Sequence, residues 1–291
     1  MTPLRLGVLG CGRMGRLHAE RLQKTPGVDL VAVLDPAGVP AHLPEVKALP
    51  ALDGLVVATP AHTHAELALP LLTVGLPCLV EKPLSPDLAQ ARALAAFEHL
   101  SVNHIERFNP AVRALPAGLR PRYVHAERLG PFTGRSARID VCMDLMVHDL
   151  DLLGALQPQA TPSLMRAVGI PVHTSGVDAV QAWVELETPS GPCTASLSAS
   201  RASRAPQRRL RLVDDAHYYS LDLRNPRVER LPIGAPPEAA ESLPIPDGDA
   251  LGAIHAAFLR ALRGQGAFPV SGTQALRALE WAARLSELAS A

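Results

Sequence analysis

Through the first hundred residues short apolar runs alternate with helical patterns. Leu4–Leu9, Val28–Leu34, Leu55–Ala58, Leu76–Val80 and His99–Val102 read as buried strands, and Arg16–Lys24 and Leu88–Glu98 carry apolar residues at helical spacing. This rhythm predicts an α/β fold, with a parallel sheet joined by crossover helices. Twenty positions separate Asp35 from Leu55, too few for a full helix and strand, so a shortened connection is expected there. After Asn103 the strands lengthen, as in Ala179–Glu187 and Cys193–Arg201. In the latter, Thr194, Ser196, Ser198 and Ser200 fall on one face and Ala195, Leu197 and Ala199 on the other. The apolar face should pack on helices, and the small polar face is left for solvent or another subunit. Arg208–Val213 and His217–Leu223 read as further strands and Pro232–Asp247 as a proline-rich loop. Ala250–Arg263 and Gly272–Ala289 read as closing helices. Two domains are expected, 1–103 and 104–291.

The first strand runs into Gly10-Cys-Gly12-Arg13-Met14-Gly15, a glycine spacing that fits the dinucleotide fingerprint in its strand-turn-helix context. Gly10 would make the tight turn, Gly12 would let the backbone approach a pyrophosphate, and Gly15 would let the helix pack on the strand. Asp35, at the end of the second strand, stands where a carboxylate accepts ribose hydroxyls and repels a 2′-phosphate. Pro36 and Ala37 follow with no adjacent arginine, which favours NAD over NADP; Arg13 is the one group with reach to such a phosphate. The alternative is an ordinary glycine-rich turn.

Composition changes the picture in two ways. The formal net charge is zero, 47% of the 291 residues are hydrophobic and 19% charged, which points to a globular protein without a nucleic-acid or acidic-membrane partner. No signal peptide and no run of the roughly 18 apolar residues needed to span a membrane is found. Cys11, Cys78, Cys142 and Cys193 lack paired spacing for zinc and read as buried free thiols, so no metal is expected and a cytoplasmic location is. The 28 basic residues include only three lysines, Lys24, Lys47 and Lys82, the other 25 being arginine. Arginine stays charged at any accessible pH while a lysine ammonium can be tuned. Lys82, in Glu81-Lys82-Pro83 after an apolar run, is therefore a candidate for proton chemistry. A surface lysine before a turn-forming proline is the bland reading.

A second candidate lies in Val141-Cys-Met-Asp144-Leu-Met-Val-His148-Asp149-Leu-Asp151. Asp144, His148 and Asp151 are spaced i, i+4 and i+7, on one face of an otherwise apolar helix apart from Asp149. A carboxylate one turn from an imidazole makes His148 a credible general base; an amphipathic helix with a satisfied histidine is the alternative.

These residues together resemble the Gfo/Idh/MocA oxidoreductases. The likeness rests on Gly10-x-Gly12-x-x-Gly15-x-x-His18, Thr59-Pro60 with His64, Glu81-Lys82-Pro83, Asp144-x-x-x-His148-x-x-Asp151 and the closing Pro269-Val-Ser-Gly segment. The resemblance implies a Rossmann domain followed by an α/β domain on a large, open, mostly antiparallel sheet, and a homodimer or homotetramer. It further implies Lys82 at the nicotinamide, His148 as acid/base, Asp144 on the substrate, and Thr59, Pro60, His64 and Glu81 around the cofactor. Ala61 departs from the family, where asparagine is common. Asn103-His-Ile-Glu-Arg107-Phe-Asn109-Pro, Gly130-Pro-Phe-Thr-Gly-Arg135-Ser and the Asp144–Asp151 segment resemble the branch of UDP-N-acetylglucosamine 3-dehydrogenases. In that branch Arg107, Asn109, Arg135, Arg138 and Asp151 would meet a UDP-sugar, the arginines neutralising its diphosphate; ordinary surface arginines are the alternative. The reaction implied is NAD-dependent oxidation of a sugar or sugar-nucleotide secondary alcohol. An NAD-dependent glycosidase and a non-catalytic nucleotide sensor are its rivals.

Overall fold

The computed structural model describes residues 2–45, 48–134 and 139–290. They divide into two compact units, Met1–Ile105 with Leu251–Leu276, and Glu106–Ala250 with Arg277–Ala291.

In the first unit β1 (Leu4–Leu9), β2 (Val28–Leu34), β3 (Gly54–Val57), β4 (Cys78–Glu81) and β5 (Leu100–Asn103) form one sheet in the order β2-β1-β3-β4-β5. Every pairing is parallel. Parallel strands are covered on both faces, which is why they read as continuous apolar runs: Val8, Val57, Leu79, Val80, Leu100 and Val102 are wholly buried. The connecting helices are α1 (Arg13–Gln23), α2 (His64–Thr73) and α3 (Leu88–Ala95). α1 begins three residues earlier than its apolar spacing suggested, because Gly12 serves as its N-cap. α3 starts where Asp87 accepts the Gln90 N–H at 3.0 Å, and it ends before Glu98 as the chain turns into β5. The connection after Asp35 is short as expected: among the described residues it holds no helix, only a bridge between Val33 and Glu45.

The second unit opens with α4 (Pro110–Arg113). It is built on eight strands: β6 (Tyr123–Leu129), β7 (Thr161–Ile170), β8 (Ala179–Glu187), β9 (Cys193–Ser200), β10 (Gln207–Val213), β11 (His217–Asp222), β12 (Arg227–Pro232) and β13 (Glu241–Ser242). Their order is β13-β12-β11-β10-β6-β9-β8-β7, antiparallel except where β6 pairs with β9. On β9 Ala195, Leu197 and Ala199 are buried as expected, while on the small polar face Thr194, Ser198 and Ser200 are half-exposed and Ser196 is buried. β6, β7 and β12 are not legible in the sequence. On β6 the inward row is Val124, Ala126 and Arg128, and a charge in that row breaks the apolar alternation; β7 is an edge strand with no fully buried residue. β13 lies inside the segment read as loop. The helix expected over the Asp144–Asp151 segment begins with a π-helical turn, Cys142–Met146, which passes into α5 (Val147–Leu156). α5 packs on β6 and is buried from Val147 to Gly154.

The chain closes with α6 (Ala250–Leu262) and α7 (Gly272–Ser290). A division at residue 103 assigns both helices to the second domain, but the Leu251–Leu276 segment packs in the first unit. Leu262 lies against Gly54, where a Cβ would come within 2.8 Å of its methyl carbon. Arg263 donates to the Gly27 carbonyl at 3.0 Å, and the Val102 N–H donates to the Val270 carbonyl at 2.9 Å. Among the described residues no helix is long and apolar enough to cross a membrane.

Candidate active site

At the carboxyl end of β1 the glycines divide by role. Gly10 has φ +86°, and a Cβ there would lie 2.7 Å from the Ala58 carbonyl oxygen; one on Gly15 would lie 1.8 Å from the Gly10 carbonyl oxygen. Both are forced by the close approach of turn, helix and neighbouring strand. Gly12 is different, with nothing within 4 Å of its Cβ position. No side chain caps α1, so its first N–H groups remain available as donors. Open space over uncapped donors at a helix start fits a pyrophosphate. Arg13 is exposed and Met14 half-buried beside it. Asp35 is fixed by the Cys11 N–H on one oxygen and the Ala37 N–H on the other, at 2.8 Å. The carboxylate is thus oriented by backbone donors alone. These residues would hold an NAD dinucleotide.

Further along the same sheet edge, His64 on α2 is buried between two carbonyl oxygens, with Nδ1 3.0 Å from Pro83 and Nε2 3.0 Å from Thr59. Burial lowers its proton affinity and the two carbonyls oppose that. His64 therefore ties the Thr59–Pro60 turn to the turn after Lys82, with both ring nitrogens facing backbone. Glu81 is buried. Its Oε1 faces His18 Nε2 at 3.0 Å and accepts Asn103 Nδ2 at 2.7 Å, while Oε2 accepts the Lys82 N–H at 3.2 Å. Burial raises the carboxyl's proton affinity, but His18, Asn103 and Lys82 outweigh it and hold Glu81 below the usual carboxylate range. Lys82 itself is half-buried and precedes a cis peptide to Pro83.

In the second unit Asp144 is half-buried in the π-helical turn, and His148 and Asp151 are buried on α5. Such widely wound turns recur at functional positions. Asp151 accepts a bidentate pair from Arg107, Nε at 2.7 Å and Nη2 at 2.6 Å, so these two expected substrate contacts are partners of each other. Asn109 is likewise engaged: its Oδ1 caps α4 through the Ala111 N–H at 3.0 Å, and its Nδ2 donates to Glu106 at 3.0 Å and the Leu223 carbonyl at 2.7 Å. Arg135 and Arg138 lie outside the described residues. Behind α5, Arg128 donates twice to Asp149, at 3.0 and 2.7 Å, and once to Glu106 at 2.8 Å, all three side chains being buried. Burial raises the proton affinity of Glu106, yet Arg128, Arg208 and Asn109 outweigh it and keep the carboxyl low. The sequence assigns no role to Glu106, Arg128, Asp149, Asn103 or His255. Asp149 is marked only as the one charge breaking the apolar side of its helix, Asn103 and Glu106 only as members of the 103–110 segment, and Arg128 and His255 not at all.

All four cysteines are free and buried; burial pushes Cys78 up to about 12 and Cys193 up to about 11. Among the described residues no group of three or more His, Cys, Asp or Glu is placed to hold a metal ion.

Residues 4–101 match the family model of the Gfo/Idh/MocA oxidoreductases, described as an NAD-binding Rossmann fold. The UDP-N-acetylglucosamine 3-dehydrogenase of Acidithiobacillus ferrooxidans is 37% identical over 284 aligned residues, covering 90% of each chain. Its solved structure superposes with a TM-score of 0.88 over 99% of this chain and 98% of that one, at 34% identity. An inositol 2-dehydrogenase of Leifsonia xyli is 35% identical over 39% of this chain and 40% of its own. The myo-inositol dehydrogenase structure of Corynebacterium glutamicum shares the fold, with a TM-score of 0.78 at 21% identity over 99% and 97% of the two chains. With the glycine cradle, the fixed Asp35 and a full-length relative in agreement, the chain belongs to the Gfo/Idh/MocA family of oxidoreductases and is a dehydrogenase acting on a CH–OH group, with NAD as its cofactor.

Proposed function

We propose that this enzyme oxidises the 3-hydroxyl of UDP-N-acetylglucosamine. The observation that carries the reading is likeness over the whole chain, second unit included, to a UDP-N-acetylglucosamine 3-dehydrogenase; the inositol dehydrogenase of Leifsonia xyli matches over less than half. Bound NAD supplies the hydride acceptor. The chain's own work is to hold the dinucleotide on Gly10, Gly12, Gly15 and Asp35, and to move the hydroxyl proton. His148, assisted by Lys82, takes that proton, and Asp144 orients the ring hydroxyl. NAD is preferred to NADP because Asp35 presents a fixed negative charge where a 2′-phosphate would sit. Arg107 arrives already neutralised by Asp151, so it aligns the substrate by geometry more than by net charge. The small polar face of β9, continued by exposed Trp183, Val168 and Ile170 on β8 and β7, is the surface for a second copy.

The test is absorbance of reduced nicotinamide when the protein is mixed with NAD and UDP-N-acetylglucosamine, with UDP-glucose and inositol in parallel. A rise confined to UDP-N-acetylglucosamine is expected, and no rise with NAD demonstrably bound overturns the assignment. Lys82→Ala and His148→Asn should each lower turnover about a hundredfold or more, the scale of losing an acid/base group. Unchanged turnover in both would remove them from the proton path. Light scattering on the same sample reports the number of copies.

A further inference from the structure

Three buried side chains that the proposed chemistry does not use line up on Glu81. His18 comes from α1, Asn103 from the end of β5, and His255 from α6, 237 positions after His18. His18, Asn103 and His255 are 0%, 1% and 2% exposed, and Glu81 is 8%. His255 Nε2 stands 2.7 Å from His18 Nδ1, and His18 Nε2 stands 3.0 Å from Glu81 Oε1. Asn103 Nδ2 donates to the same oxygen, and the Lys82 N–H donates to the other.

Proton positions along this row follow from one end. An ionised carboxylate only accepts, so His18 donates from Nε2. Between the two rings there is room for one proton, so the pair carries at most one positive charge. While His18 is neutral its Nδ1 holds a lone pair, and His255 must be the donor. The carboxylate thus fixes the tautomer of His18, and neutral His18 in turn requires a proton on His255 Nε2, so one row of hydrogen bonds joins α6 to the backbone of Lys82. Replacing buried charges with apolar groups of like volume is often neutral or stabilising, so packing alone does not call for such a row.

We propose that His18 and His255 are positioning residues for Lys82. They lock the Glu81 carboxylate so that its second oxygen fixes the Lys82 backbone, and a segment distant in sequence thereby sets the orientation of the lysine. This rests on Lys82 handling a proton in the reaction proposed above. Both histidines are buried and act through Glu81.

His255→Phe keeps the ring and removes the donor; His255→Gln restores one. The first readout needs no turnover: amide hydrogen exchange at Lys82. It should quicken about tenfold in His255→Phe, the scale of one hydrogen bond, and return to near wild type in His255→Gln. In the turnover assay kcat should fall about tenfold in His255→Phe with KM for the sugar nucleotide unchanged, and recover in His255→Gln, as expected when orientation but not binding is lost. If His255→Phe does not fold, His255→Leu gives the same comparison. A Lys82 amide that exchanges at the wild-type rate in the folded variant overturns the proposal, as does an unchanged kcat. If the wild type turns over none of the sugar nucleotides, the substrate assignment fails, and the Lys82 amide alone decides whether the histidines position it.

Discussion

Arg128→Met severs the buried charge network behind α5. The guanidinium makes three hydrogen bonds, two to Asp149 and one to Glu106. Glu106 keeps Arg208 at 3.2 Å and Asn109 at 3.0 Å, whereas Asp149 loses its bidentate partner at 3% exposure. Breaking a buried pair in this way costs about 3–5 kcal/mol, because an uncompensated charge stays in the core. The loss should vary with pH. Burial already pushes Asp149 above its ordinary range despite Arg128, and without the arginine the push is stronger. A group whose folded-state pKa is raised contributes stability below its unfolded value, and that contribution is lost as pH rises through the folded value. The gap between variant and wild type should therefore narrow as pH falls and the buried carboxyl takes up a proton. Urea unfolding followed by tryptophan fluorescence is the assay, since both tryptophans, Trp183 and Trp281, lie in the second unit. The double variant R128M/D149L should lose less than R128M alone, having no orphan charge. A single-variant cost below about 1 kcal/mol, or a double variant that loses the sum of both, would refute the reasoning.

Two further expectations follow from the same kind of accounting. Asp178, 0% exposed, accepts the N–H groups of Val172, His173 and Thr174 and the Arg201 guanidinium; burial raises its carboxyl, but these donors outweigh it and hold it well below the usual range. Its stabilisation is thus present above the ordinary aspartate value and lost as pH falls through the depressed one, and Asp178→Ala should cost about 3–5 kcal/mol and speed amide exchange at 172–174. Exchange unchanged there would count against it. Gly12→Ala should leave thermal stability within about 1 kcal/mol while weakening NAD about tenfold or more, whereas Gly15→Ala, forced against a backbone oxygen, should lower both; equal NAD affinity in all three proteins, by titration, would show that the dinucleotide lies elsewhere.

Much of the fold was legible because local rules and global structure agree. The glycine turn, the strands buried on both faces and the alternation of β9 are each dictated by neighbours in sequence, and boundaries slipped by only one to three residues. The short connection after Asp35 followed from counting residues. Asp144, His148 and Asp151 were visible for the same reason, as a spacing within one helix, although the π-helical turn that carries Asp144 leaves no such periodic mark.

What the sequence could not determine depends on contacts between distant segments. β6 was hidden because Arg128 faces inward, and an inward arginine makes sense only once Glu106 and Asp149 are beside it. Arg107, Asn109 and Asp151 read as polar groups ready for a substrate, yet the fold engages them with one another or with backbone. α6 was placed with the wrong domain because its apolar face does not say which core it fills. His255 carries no local signal at all; its meaning arises only when α6 sets it 2.7 Å from His18. Periodicity records which side of an element is buried, while the partner of a buried charge is a property of three-dimensional proximity, and that is decided by the tertiary structure alone.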